Sequence, residues 1–411
     1  MGDLRVCLVG NMNNNNYILA KMLRREGVEA DLILLNNEYR YFLPEHYDED
    51  LKDGYPEWIK KVKWGTGASF FYTTKDIILK DLKGYDIYIA CNLFAPAFLY
   101  KAGLIKKTIV RVHGGDLYLL PFWDRLLKTY KHYLRPFISL PVYYLSNVQK
   151  KAIKECLAVF TLPHGKIYNS ILRLKILDKL KVIGAPIDTN KFSPQYVEKI
   201  IKFRGIPSKI RNIIANMEKY DFTIFSPTRH FWTKNTVVLN PEADKGNDIL
   251  ILGFKKFIES EKVNPLLILV EKGPDVMASK SLIKKLKIEE NVLWIPEMTP
   301  SELLYLYYFS DIVADEFKDG RYASVGLEGM AMEKPVLVYI DKEFEVMTGI
   351  PFPPCMNASN PDEVKMLLKD FNENRVKYNR IGRLARIWVN RYHGKGLVRK
   401  VINLIEKLLI N

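Results

Sequence analysis

Two basic residues in the second half of the sequence lie where they could bind a phosphorylated ligand. Arg229, in the segment SPTRH (226–230), ends a predicted strand, and Lys245, in the segment KGND (245–248), begins a helical pattern. An arginine can bind two oxygens of one phosphate and a lysine adds a compact positive charge, so the pair suits a diphosphate. Lys234 is an alternative to Lys245. The pair predicts electrostatic stabilisation of a diphosphate.

A single glutamate lies within an apolar, helix-like segment, GLEGMAMEKPVL (326–337). If the helix begins near Ser324, the N–H groups of its first turn, including that of Val325, can hold a phosphate at the positive end of the helix dipole. Glu328 then lies one turn inside, within reach of a ribose attached to that phosphate. The alternative is that Glu328 is solvated.

Two further segments follow predicted strands in the first half. In GNMNNNNY (10–17), Gly10 is the only glycine, which argues against the GxGxxG site of an NAD or FAD enzyme. Asn13 and its neighbours suit either a loop with a helix N-cap or a loop that faces a ligand.

The segment RVHGGDL (111–117) places a histidine, two glycines and an acid after an apolar run. Gly114 and Gly115 would let a ligand approach the backbone closely. His113 and Asp116 could hydrogen-bond sugar hydroxyls or transfer a proton. A structural histidine beside a glycine turn is the alternative.

Short apolar runs alternate with longer amphipathic ones, which predicts parallel sheets covered by helices on both faces. The predicted strands cover 4–10, 30–35, 85–90, 107–113, 157–162, 180–186, 221–229, 265–273, 291–297, 312–317 and 334–341. The pattern breaks at GAPIDTNKFSP (184–194) and then restarts, so we expect two doubly wound α/β halves. Because such sheets bind ligands beyond the carboxyl ends of their strands, we expect the two halves to line a shared cleft.

The composition is that of a globular protein, with 48% hydrophobic and 27% charged residues among 411. Four scattered cysteines form no metal or disulfide pattern, which favours the reducing cytoplasm. No uninterrupted apolar run reaches the ~18 residues of a spanning helix. We therefore expect a cytoplasmic protein, soluble or peripheral on the membrane.

The net charge of +15 is concentrated in residues 121–181, which carry twelve basic residues against three acids. The basic residues are Arg125, Lys128, Lys131, Arg135, Lys150, Lys151, Lys154, Lys166, Arg173, Lys175, Lys179 and Lys181, interleaved with Tyr130, Tyr133, Phe137, Tyr143 and Tyr144. Such a surface suits an anionic membrane or a phosphorylated acceptor, or it is simply solvated. No nucleic-acid-binding signature accompanies the charge, so we do not expect a nucleic-acid partner.

The segments VIGAPIDTNKFSP, SPTRH, KGND and GLEGMAMEKPVLVY, in this order and with HGGD and WVNRYH, resemble motifs of the family 4 glycosyltransferases. That resemblance implies the GT-B fold, with two Rossmann-like domains facing a central cleft. It also implies transfer of a sugar from a nucleotide-diphosphate sugar to a glycan or lipid-linked acceptor, with retained configuration and without a metal or other cofactor. We expect an N-terminal acceptor domain over 1–190, a donor domain over 191–385, and a helical segment over 386–411 that packs back on the first domain.

By the same resemblance, Arg229 and Lys245 stabilise the leaving diphosphate and Glu328 binds the ribose. His113 matches a position that contacts the donor sugar near the reacting carbon. The loop with Gly10 and Asn13 closes over the diphosphate.

The sequence departs from the family pattern in two places. A glutamate usual eight residues before Glu328 is replaced by Gly320, and Ala323 stands where a glycine is usual, so Glu316 or Asp319 would have to replace the missing carboxylate. The insertion FWTKNTVVLNPEA (231–243) separates Arg229 from Lys245. Because of Gly320, a non-catalytic nucleotide-sugar-binding protein of the same fold is the alternative function.

Overall fold

The computed structural model describes residues 4–36, 38–130, 136–239 and 243–410. The chain divides into two compact units, one formed by Met1–Pro186 with Lys395–Asn411 and the other by Ile187–Gly394. The sequence predicted boundaries at 190/191 and 385/386. Lys131, Tyr133 and Arg135 of the predicted basic segment lie outside the described residues, as do the side chains of Tyr130 and Phe137.

The first unit is built on a seven-stranded parallel sheet, in the order β3-β2-β1-β4-β5-β6-β7. Its strands are β1 Arg5–Val9, β2 Glu29–Leu34, β3 Ile59–Lys61, β4 Ile87–Ala90, β5 Thr108–Arg111, β6 Ala158–Thr161 and β7 Leu180–Val182. The chain builds outward from β1 to β3 and then returns to the other side of β1. The β1/β4 pair is therefore the point where the strand order reverses, which is where open α/β sheets bind ligands.

The helices of this unit connect its strands. They are α1 Asn15–Arg25, α2 Pro44–Tyr47, α3 Ser69–Tyr72, α4 Lys75–Asp81, α5 Ala95–Lys101, α6 Gly115–Tyr118, α7 Trp123–Tyr130, α8 Pro136–Glu155 and α9 Gly165–Leu174. All residues of β4, β5 and β6 are buried, including the polar Thr108 and Arg111 at the two ends of β5. Burial on both faces of the sheet explains why these strands are otherwise mainly apolar.

The second unit repeats the plan with six parallel strands in the order β10-β9-β8-β11-β12-β13. Its strands are β8 Thr223–Ser226, β9 Leu266–Val270, β10 Val292–Ile295, β11 Ile312–Ala314, β12 Val336–Val338 and β13 Met356–Asn357. Its helices are α10 Pro194–Arg204, α11 Ser208–Met217, α12 Lys234–Leu239, α13 Asn247–Ser260, α14 Val276–Leu286, α15 Pro300–Phe309, α16 Ser324–Ala331, α17 Glu343–Thr348, α18 Pro361–Glu373 and α19 Arg375–Tyr392. Here the strand order reverses at the β8/β11 pair.

The last helix, α20 Lys395–Ile410, belongs to the first unit. Lys395 and Arg399 form ion pairs with Glu26, which directly follows α1. Among the described helices, none combines the length and the apolar character needed to cross a bilayer. All four cysteines are free thiols.

The eleven predicted strands are confirmed, although most are shorter than their apolar runs. For example, β5 ends at Arg111 and β8 at Ser226, so His113 and Arg229 lie in the loops that follow. The sequence missed β3 and β13. Both are short edge strands, and β3 has the charged sequence IKK, so neither carries an apolar pattern long enough to recognise.

Candidate functional site

The strand-order reversal of the second unit brings together two loops with charged residues. Arg229 lies three residues after β8, and Asp315 and Glu316 directly follow β11, which is the strand next to β8. Parallel strands end at the same edge of a sheet, so these residues share the edge where ligands of open α/β sheets bind.

Lys245 is joined to this edge by an ion pair between its ammonium group and the carboxylate of Glu316. The Glu316 side chain is 2% exposed and the Lys245 side chain 15% exposed. Burial raises the pKa of Glu316, and the adjacent ammonium group opposes that rise. The backbone joins the same loops, because the N–H of Phe317 donates to the carbonyl of Lys245 at 2.9 Å. Lys245 is therefore held in place by a buried partner.

Asp315 holds the beginning of helix α16. Its Oδ2 accepts hydrogen bonds from the N–H of Ala323 at 2.8 Å and from that of Gly326 at 3.0 Å. A Cβ at Gly326 would lie 2.6 Å from that oxygen, so the close approach requires glycine. Burial, followed by the charge of Glu316, raises the pKa of Asp315 to about 7.

The helix predicted near Ser324 is confirmed, since α16 begins there. The first N–H groups of a helix have no intrahelical acceptor. Asp315 binds two N–H groups at this end, and the N–H of Leu327 donates to the carbonyl of Ala323. Among the described residues, the N–H groups of Ser324 and Val325 remain available to a ligand.

Glu328 lies on the same helix and is partly buried rather than solvated. Its Oε2 accepts a hydrogen bond from the hydroxyl of Tyr307 at 2.7 Å, and Tyr307 is fully buried. Burial raises the pKa of Glu328 to about 7, against the lowering effect of the Tyr307 hydrogen bond and of Lys191 and Lys272. The side chain therefore has one fixed oxygen.

Arg229 is exposed, and its guanidinium lies 5.7 Å from the ring centre of Phe231. The loop that follows is anchored by Asp275, which accepts hydrogen bonds from the N–H groups of Trp232 at 2.7 Å and Thr233 at 2.9 Å. Lys234 begins α12 and is exposed. The structure thus joins Lys245, rather than Lys234, to the residues at the β8/β11 reversal.

Glu316 and Asp319, the predicted replacements for the missing glutamate, each have a cationic partner within the second unit. Glu316 pairs with Lys245, and Asp319 pairs with Arg321 at 2.5 Å. Their contact with a donor sugar stays a prediction that requires an exchange of partners. Gly320 has a φ of +72°, a left-handed conformation that would be strained for glutamate.

In the first unit, Gly10 lies at the β1/β4 reversal. Its φ is +79°, and a Cβ there would lie 2.5 Å from the Cβ of Asn92. The backbone conformation and the packing against Asn92 therefore require glycine here, independently of any role in ligand binding. Asn13 is exposed and, like Asn14, left-handed, a conformation that asparagine tolerates. Asn14 precedes α1 without capping it, and its side chain donates to the carbonyl of Tyr41. Asn11 of the same segment accepts a hydrogen bond from the N–H of Tyr17 in the first turn of α1 at 2.8 Å, as the loop-and-cap interpretation expects.

His113 lies beside the same reversal, after β5. Its Nε2 is 3.1 Å from the Sγ of Cys91, the residue that follows β4. The buried carboxylate of Asp116 accepts hydrogen bonds from the backbone N–H groups of His113 at 3.1 Å and Gly114 at 2.8 Å. Burial raises the pKa of Asp116 to about 6. Asp116 therefore shapes the loop that carries Gly114 and Gly115, and its contact with a sugar stays a prediction.

Sequence reasoning missed four residues that organise these two sites, namely Asp315, Tyr307, Cys91 and Asn92. Cys91 and Asn92 follow the predicted strand 85–90, so their position at a strand exit was a usable signal. Asp315 lies inside the predicted strand 312–317 and became an exit residue only because β11 ends at Ala314. Tyr307 lies inside an apolar helix, and its contact with Glu328 has no local sequence pattern. Among the described residues, no three His, Cys, Asp or Glu side chains form a set that could hold a metal ion.

Comparisons with known proteins agree with this architecture. Residues 236–386 match the family described as glycosyl transferases group 1, and this segment contains Lys245, Glu316 and Glu328. No curated protein matches the sequence. The chain is similar to the structure of a glycosyltransferase from Rickettsia africae ESF-5, with 18% identity, a TM-score of 0.66 and full coverage of both chains.

Two other similar structures contain nucleotides. One is HepE from Anabaena in complex with UDP-glucose, with 13% identity, a TM-score of 0.64 and coverage of 98% of this chain and 100% of that one. The other is UDP-GlcNAc 2-epimerase from Neisseria meningitidis bound to UDP-GlcNAc, with 13% identity, a TM-score of 0.58 and the same coverage.

These findings define the class of protein. Two parallel-sheet units and similarity to these structures over nearly the whole chain establish the GT-B fold. Within that fold, the second unit carries the segment that matches glycosyl transferases group 1.

Proposed function

We propose that the protein transfers a glycosyl group from a nucleotide-diphosphate sugar to an acceptor, with retention of configuration and without a metal. One observation carries the proposal. Two consecutive carboxylates lie at the β8/β11 reversal. Glu316 holds Lys245, and Asp315 holds the beginning of α16. A lysine and free helix N–H groups at such an edge suit a diphosphate.

In this mechanism the cations act on the leaving group. Cleavage of a glycosyl phosphate bond builds negative charge on the diphosphate. Lys245, Arg229 and the N–H groups of Ser324 and Val325 stabilise that charge, and Glu316 keeps the ammonium group in place before the donor binds. Because positioned donors need no reorganisation during the reaction, they stabilise the transition state more than solvent does.

Glu328 binds the ribose hydroxyls of the donor. Tyr307 fixes one carboxylate oxygen, which orients the group for the nucleotide. His113 contacts the donor sugar near the reacting carbon, a role proposed from the family resemblance. Gly10, Asn13 and the Gly114–Gly115 turn belong to loops that we propose approach the donor or the acceptor.

We propose a uridine nucleotide as the first donor to test, because two proteins of similar fold were solved with UDP-glucose and UDP-GlcNAc. The acceptor is a glycan or a lipid-linked glycan. For the lipid-linked case we propose that the protein works in the cytoplasm at an anionic membrane surface, which the basic residues among 121–181 support.

A donor screen tests the proposal. Purified protein is incubated with UDP-, GDP- and ADP-sugars and a panel of acceptors, with and without EDTA, and release of nucleoside diphosphate is measured. We expect release with one donor class, unaffected by EDTA, and a product whose anomeric proton coupling in NMR matches that of the donor. Binding without turnover would overturn glycosyl transfer. An inverted product would overturn retention of configuration, and loss of activity in EDTA would overturn independence of a metal.

The alternative, a non-catalytic nucleotide-sugar-binding protein, draws on Gly320. Gly320 has a left-handed backbone conformation and stands where the family usually has a glutamate. Isothermal titration would show donor binding in either case. Only the enzyme would release nucleoside diphosphate when acceptor is added, so the two measurements together separate the functions.

A further inference from the structure

The first unit contains an aromatic pocket that the donor site does not use. Helices α3, α5 and α8 line a pocket of about 520 Å³ that is open to solvent on one side, a size typical of small-molecule sites. The residues that line it are Phe70, Phe71, Tyr100, Lys101, Tyr144 and Val148. Five of these six side chains are aromatic or aliphatic and none is acidic, so the walls suit an apolar ligand.

The rim of this pocket is apolar and exposed to solvent. Phe71 is 49% exposed and Tyr144 is 56% exposed, and their ring centres lie 6.1 Å apart. Tyr72 and Leu140, which lie beside these residues on α3 and one turn away on α8, are 70% and 73% exposed. Exposed apolar side chains grouped in this way mark interaction surfaces rather than ordinary solvated surface.

The charges around the pocket are mainly positive. Lys101 donates a hydrogen bond to the carbonyl of Phe70 at 2.6 Å, and burial lowers its pKa. Lys151 lies one turn beyond Val148 on the same side of α8, and Lys154 follows it one turn further on; both are exposed. An acid also lies beside the pocket, since Glu155 accepts a hydrogen bond from the hydroxyl of Tyr100 at 3.5 Å. A ligand with an apolar chain and an anionic head would complement both the walls and these charges.

We propose that this pocket takes one acyl chain of an anionic phospholipid while the aromatic rim and the neighbouring lysines rest on the bilayer surface. Tyrosine rings favour the interface between hydrocarbon and water, and lysines are attracted to anionic head groups. A protein partner would also cover exposed aromatics, but it does not require an apolar cavity behind them. The site does not depend on the proposed glycosyl transfer, so either can fail alone.

Vesicle co-sedimentation of the full chain tests the docking surface. The vesicles contain phosphatidylcholine with or without one third phosphatidylglycerol, at low and at physiological salt. The variant is Phe71→Ser with Tyr144→Ser, at half-exposed positions where folding should tolerate the change. The matched control is Val346→Ser with Val376→Ser in the second unit, at positions 86% and 82% exposed.

We expect the wild type and the control to bind anionic vesicles more strongly than neutral ones. The rim variant should partition about tenfold more weakly, because two aromatic side chains no longer leave water. Absence of wild-type binding at low salt would overturn the proposal. Equal binding by the rim variant would overturn it too, since the contact would then lie elsewhere.

A second measurement tests entry of the acyl chain itself. Phe71→Trp places an indole in the wall of the pocket, and vesicles with brominated acyl chains quench nearby indoles. We expect greater quenching in this variant than in the wild type, whose six tryptophans give the background. Binding with no additional quenching would show contact with head groups or with another surface, and the pocket would not be a lipid site.

Discussion

At the residue scale, the central feature of the second unit is a lysine whose carboxylate partner is buried. The Lys245–Glu316 pair costs desolvation energy, and such pairs are weak sources of stability compared with apolar side chains of the same volume. Its position beside the β8/β11 reversal supports a different role. We interpret Glu316 as the group that orients Lys245 for a diphosphate.

Removing the lysine alone should therefore destabilise the protein. We expect Lys245→Met to lower the free energy of unfolding by about 3 to 5 kcal/mol at pH 8, because Glu316 would be left buried and unpaired. At pH 5 the loss should be smaller, since Glu316 can then take up a proton. Urea unfolding at both pH values measures the effect.

The matched variant is Lys245→Met with Glu316→Leu, which removes both charges. We expect it to recover most of the stability lost by the single variant. Equal destabilisation of the single and the double variant would show that the buried charge pair is not the cause.

We expect the proposed contact of Glu328 with the ribose to make donor binding sensitive to pH. Its pKa is raised to about 7, so it is mostly protonated at pH 6 and mostly ionised at pH 8. A protonated carboxyl group accepts ribose hydroxyls poorly, so affinity should rise about tenfold from pH 6 to pH 8. Isothermal titration with UDP-glucose, or with the donor that the screen selects, measures this, because a diphosphate ester does not titrate in that range.

Glu328→Gln is the control for that titration. The amide keeps the shape and can still accept the Tyr307 hydrogen bond, but it does not titrate. We expect weak binding with no pH dependence in this variant. The same pH dependence in wild type and variant would assign the titration to another group.

At the element scale, helix α16 begins where Asp315 binds it. The N–H groups of Ala323, which precedes the helix, and of Gly326 donate to that carboxylate, and we propose that those of Ser324 and Val325 bind the donor. The beginning of the helix could be predicted because Ser324 precedes an apolar run. Asp315 could not, because its contact with Gly326 spans eleven residues and depends on how β11 and α16 pack.

The first unit shows the same limit of prediction. The strands and the residues at their exits followed from apolar runs and turns, and so His113, Asp116 and Gly10 could be identified. Their partners could not, because Cys91 and Asn92 meet them only after the sheet has formed with β4 beside β1. Register and strand order arise from packing across the whole sheet, which no local pattern encodes.

Gly326→Ala tests the Asp315 contact. The new methyl group would lie 2.6 Å from Oδ2, so the helix or the carboxylate must move. We expect a loss of about 1 to 3 kcal/mol in stability, together with weaker donor binding. Ser324→Ala, on the exposed face of the same helix, should change stability by less than about 0.5 kcal/mol. Similar melting temperatures for the two variants would rule out the contact as a constraint.

At the scale of the whole molecule, the two units are variations on one plan. Each is an open parallel sheet whose strand order reverses once, and each places its chemically distinctive residues at that reversal. The fold is shared with an epimerase as well as with a glycosyltransferase, so the fold alone does not select the reaction. The second unit's cations and helix N–H groups support glycosyl transfer.

The most direct test of glycosyl transfer is the rate of nucleoside diphosphate release by Arg229→Ala and Lys245→Ala at saturating donor. Lys234→Ala serves as the control, because Lys234 is an exposed lysine of the same segment. We expect the first two variants to lose about 100-fold to 1000-fold in kcat and the control to match the wild type. Rates for Arg229→Ala and Lys245→Ala within about threefold of wild type would contradict the assignment of these cations to the leaving diphosphate.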